Sequence, residues 1–134
     1  MTTSVRSIRL IALAVLLPLG LVAAASCAPP PTCPVIKSGT WSGTWASTDF
    51  AGLSGDITAN LIVTGSSLSG NATLTGIASG PVTVTGAIDC KSVSVTTSDG
   101  LSLTGTASAH GTSITGTYVT SPVPYHGTFK IRAN

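Results

Sequence analysis

From Ser38 onward the chain alternates apolar and polar side chains with period two, in short runs filled with Thr, Val, Ser and Gly, and no run repeats at the three-to-four spacing of a helix. The segment 39–46 places Trp41, Gly43 and Trp45 on one face and Thr40, Ser42 and Thr44 on the other. A second run, 56–64, turns Ile57, Ala59, Leu61 and Val63 inward and leaves Ile62 outside, and a third, 67–77, turns in Leu68, Gly70, Ala72 and Leu74. Gly80 and Pro81 signal a turn, after which Val82, Val84, Gly86 and Ile88 form the inward set of a fourth strand. Cys90 opens a fifth, with Val93 and Val95 inward, and Ser98-Asp-Gly100 supplies the positive backbone angles of a hairpin turn. Strand six carries Leu101, Leu103, Gly105 and Ala107. Strand seven follows His110-Gly111 with Ile114, Gly116 and Tyr118, and strand eight, after Ser121-Pro-Val-Pro124, carries Gly127, Phe129, Ile131 and Ala133 inward.

Four of these runs share one plan: Trp41-Ser-Gly-Thr-Trp45, Leu68-Ser-Gly-Asn-Ala72, Leu103-Thr-Gly-Thr-Ala107 and Ile114-Thr-Gly-Thr-Tyr118. Glycine in mid-strand costs backbone entropy, so its recurrence on the inward face calls for a geometric reason, and tight bending of the sheet supplies one. Eight short strands with tight connections predict an all-β fold, a small antiparallel up-and-down barrel over 38–134. A two-sheet β-sandwich is the alternative that the same alternation fits.

The first 26 residues read differently. Arg6 and Arg9 precede a continuous apolar run from Leu10, interrupted by Pro18 and Gly20 and ending in small residues, the order of a secretory signal peptide. The predicted organisation is a signal peptide over 1–26, a Pro-rich tether over 27–37 and the barrel domain beyond it. Val22-Ala-Ala-Ala-Ser-Cys27 resembles the lipobox of bacterial lipoproteins, which implies fatty acylation (palmitate) at Cys27 and a membrane-anchored place in the cell envelope; cleavage near Ala25 or Ser26, giving a secreted soluble protein, is the alternative. Three cysteines are an odd number in an oxidising compartment. With Cys27 acylated, Cys33 and Cys90 remain as the disulfide pair, whereas a Cys27–Cys33 pair would close only a short Pro-rich loop.

A chain beginning at Cys27 carries Lys37, Lys91, Lys130 and Arg132 against Asp49, Asp56, Asp89 and Asp99, a formal side-chain charge of zero. Its net charge therefore gives no electrostatic case for nucleic acid or an acidic membrane as partner. Catalytic chemistry is also hard to assemble: His110 falls in a turn, His126 on a polar face, and the aspartates are scattered, so no nucleophile has an evident base. No cofactor and no metal site is expected, because the cysteine and histidine spacings match no ligand pattern.

Gly39-Thr-Trp41 and Gly43-Thr-Trp45 resemble the Gly-x-Trp element opening the first strand of avidins and lipocalins, and Ile114-Thr-Gly-Thr-Tyr118 resembles an avidin strand. The resemblance implies a small barrel able to carry a ligand. The inward aromatics Trp41, Trp45, Tyr118 and Phe129 are then the candidate ligand-binding residues, beside space left by Ala59, Ala72 and Ala107. In overall pattern the chain resembles small Gly/Ser/Thr-rich bacterial lipoproteins. The expected function is that of a non-enzymatic envelope lipoprotein with a structural or protein-binding role. The alternative is a carrier of a small apolar ligand. The expected partners are accordingly the lipid bilayer, through the acylated N-terminus, and an envelope protein or that ligand.

Overall fold

The computed structural model describes residues 32–76 and 80–134; the segment 1–26 expected to be a signal peptide, and Cys27, lie outside the described residues. Eight strands follow one another: β1 (Gly39–Ser47), β2 (Ser54–Thr64), β3 (Ser67–Leu74), β4 (Pro81–Asp89), β5 (Ser92–Thr97), β6 (Leu101–Ala107), β7 (Ser113–Thr120) and β8 (His126–Ala133). Each pairs antiparallel with the next, and β8 returns to pair with β1, closing the barrel. The sandwich alternative is thereby replaced by a single continuous ladder, which leaves no edge strand unpaired.

The period-two pattern places Trp41, Trp45, Ile57, Leu61, Leu68, Val84, Val93, Leu101, Ile114 and Ile131 in one buried core, while Ile62 faces outward. The inward glycines bring strands unusually close. A methyl group on Gly43 would stand 1.9 Å from the backbone oxygen of Lys130, and one on Gly116 would stand 2.0 Å from that of Thr104. The Gly of the repeated motif thus marks where neighbouring backbone crosses the space a side chain would fill, as a tightly coiled small barrel requires.

The two rims differ. The N-terminal rim receives segment 32–38 and carries the β2–β3, β4–β5 and β6–β7 turns; the far rim carries the β1–β2, β3–β4, β5–β6 and β7–β8 connections. Segment 32–38 is more than a tether. Ile36 is buried in the core, Cys33 is disulfide-bonded to Cys90, and the segment runs so close to the β6–β7 turn that a methyl group on Gly111 would meet the Val35 carbonyl at 2.1 Å. Strand β3 stops at Leu74, short of the expected 77, because the chain turns through Gly76 at φ +97°.

Candidate functional site

Trp41 and Trp45 sit four residues apart on β1 and occupy opposite halves of the barrel. The indole N–H of Trp41 donates to the carbonyl of Lys37 at 3.1 Å, fastening the N-terminal segment across one rim. That of Trp45 donates to the carbonyl of Thr75 at 2.9 Å, fastening the β3–β4 connection at the other. Gly55 makes room for this second bond, since a methyl group there would lie 2.6 Å from the Trp45 indole nitrogen. Tyr118 meets Trp45 edge to face with ring centroids 6.1 Å apart, and burial pushes its phenol above the ordinary tyrosine range. Among the described residues, every buried side-chain nitrogen and oxygen has a hydrogen-bond partner.

The barrel interior holds a partly open apolar pocket of about 60 Å³, lined by Ile57, Ala59, Leu68, Ala72, Leu103 and Phe129 among others. Of the four aromatics expected to wall a pocket, only Phe129 borders it; Trp41 and Trp45 are instead hydrogen-bonded to carbonyls at the two rims, and Tyr118 packs on Trp45. Ala59 and Ala72 face each other across β2 and β3 and border the cavity as their small size suggests, whereas Ala107 does not. The space is less than half of an apolar cavity of about 150 Å³ that admits benzene, and far below the roughly 300–1,000 Å³ of ordinary ligand pockets.

A second cluster, at the far rim, was not legible in the sequence. The β1–β2 and β7–β8 connections are tied together where Thr48 N–H donates to the His126 carbonyl at 2.9 Å and His126 N–H donates to Asp49 Oδ2 at 2.6 Å. The His126 imidazole adds a contact of 3.2 Å from Nδ1 to the same carboxylate oxygen. The backbone N–H of His126 holds the Asp49 carboxyl below its ordinary range; partial desolvation opposes this and the imidazole reinforces it. Phe50, which follows Asp49, and Tyr125, which precedes His126, pack edge to face with centroids 5.1 Å apart, yet remain 47% and 44% exposed. Val123 is exposed beside them in sequence. Asp49 and His126 are 77 residues apart, and only the β1–β8 closure brings them together.

No hydroxyl or thiol nucleophile is hydrogen-bonded to either imidazole among the described residues, and no group of three or more His, Cys or Asp side chains could hold a metal ion there. The fold defines a closed, eight-stranded up-and-down β-barrel with its apolar face inside. No protein-family model matches the chain, and a search of curated proteins finds no match. The Cys33–Cys90 disulfide is consistent with an exported protein outside the reducing cytoplasm.

Proposed function

We propose that this protein is a non-enzymatic envelope lipoprotein, anchored through an acylated Cys27, whose barrel is a rigid scaffold that works by its outer surface in a structural or protein-binding role. The observation that carries this reading is the use of the inward aromatics: the two indoles pin the rim segments and leave only a small apolar void, while the exposed Phe50–Tyr125 pair stands at the rim farthest from the N-terminal segment. An exposed aromatic pair of this kind, held in place by a hydrogen-bonded carboxylate, is suited to contact with another protein. Mass spectrometry of the native protein tests the anchor. A diacylglyceryl-modified Cys27 is expected together with a peptide cross-linked between Cys33 and Cys90; an unmodified Cys27 thiol would sink the lipoprotein reading.

The carrier reading keeps one supporting observation, the cavity bordered by Phe129. Its size restricts any occupant to a few heavy atoms. Titration with xenon and with a panel of larger apolar ligands, followed by tryptophan fluorescence and methyl NMR, separates the two readings. Saturable binding of a lipocalin-sized ligand would favour the carrier.

A further inference from the structure

The zero formal side-chain charge of residues 27–134 hides a separation of charge along the barrel axis. Lys37 stands just ahead of β1, Lys91 lies in the β4–β5 turn and Arg132 is near the end of β8, all exposed at the N-terminal rim, where Asp89 is the only acid among the described residues. Asp49 and Asp99 lie in connections of the far rim and Asp56 is the third residue of β2 above it, with no lysine or arginine at that end among the described residues. Lys130 sits midway along β8. Val35, 78% exposed, projects from the same segment as Lys37.

We propose that the N-terminal rim docks on an anionic lipid surface, with Lys37, Lys91 and Arg132 against the headgroups, and that this contact turns the Phe50–Tyr125 rim away from the membrane. The reading rests on membrane anchoring for its setting, but its electrostatics belong to the barrel alone. Net charge is the wrong measure here because the opposing acids are too distant to count. A strand of eight or nine residues rises about 3.3 Å per residue, so even a tilted strand separates the rims by roughly 20 Å. The Debye length at physiological ionic strength is only about 8 Å. Each cation held near an anionic surface strengthens partition about fivefold. The anchor acts in the same sense, since six residue steps from Cys27 to Cys33 reach at most about 20 Å and keep this rim beside the bilayer.

Vesicle sedimentation of residues 27–134 carrying Cys27→Ser, which lacks both the leader and the acyl chain, tests the docking apart from the anchor. At physiological salt, about 150 mM, where fields are screened beyond about 8 Å, binding is expected to phosphatidylglycerol vesicles and not to phosphatidylcholine vesicles. The combined variant Lys37→Gln, Lys91→Gln, Arg132→Gln should lower partition about 100-fold while its near-ultraviolet circular dichroism stays unchanged. Lys130→Gln should weaken binding less than Lys91→Gln, and Asp99→Asn should leave it nearly unchanged. Three results would overturn the proposal: no binding to phosphatidylglycerol, equal binding to both vesicles, or a gain from Asp99→Asn as large as the loss from Lys91→Gln, which would show response to bulk charge. Acylation is read independently from the mass of native Cys27, so each idea can fail while the other stands.

Discussion

At the scale of single residues, side chains are chosen for what they leave out as much as for what they add. Gly116 faces Gly105 across β6 and β7, and the Thr104 carbonyl occupies the space beside it. Gly116→Ala must push two strands apart, so it is expected to lower stability by about 1–3 kcal/mol, measurable as a reduced urea midpoint with unchanged slope. Ala72 presents the opposite case, because it borders a void. Ala72→Val should fill part of that void and raise stability by about 1 kcal/mol in the same assay. The recurrence of inward glycine and alanine was readable in the sequence as a sign of close packing or space. Which small residue meant which was not, because that depends on the neighbouring strand's register.

At the scale of elements, alternation and turn chemistry located all eight strands, since each depends on its own residues and immediate flanks. The exceptions are contacts that closure creates. Ile36 reads as part of a Pro-rich tether until the N-terminal segment is seen crossing the rim, and Asp49 reads as an isolated turn acid until β8 brings His126 to it. That second clasp has a pH signature. A carboxyl held below its unfolded value adds stability above the ordinary aspartate range, near pH 4 as a rough guide, and loses it as pH falls through the lowered value. Acid titration by NMR should therefore show the His126 amide losing its hydrogen-bonded shift below that range, ahead of the β-barrel amides, with the transition absent in Asp49→Asn. The disulfide joins segment 32–38 to the β4–β5 turn across 57 residues. Replacing Cys33 and Cys90 by Ala should cost about 4 kcal/mol in calorimetric or urea unfolding, from the entropy returned to the unfolded chain.

At the scale of the whole molecule, composition shows a neutral, hydroxyl-rich domain, whereas topology sorts its few charges to opposite rims. The polarity was invisible in the linear order because acids and bases interleave along the chain and separate only when alternate turns are assigned to alternate ends. The same topology also governs when the protein can fold. The seam between β1 and β8 joins Trp45 to Phe129, about 80 residues later in the chain. Until β8 is present, β1 and β7 are open edges and the apolar interior has no final wall. That seam is the one pairing between strands distant in sequence and has to wait for β8, so folding is expected to be slow relative to helical domains of this size. A chain threaded through a membrane from its N-terminal end would consequently stay open until nearly all of it had crossed, and would close only on the far side.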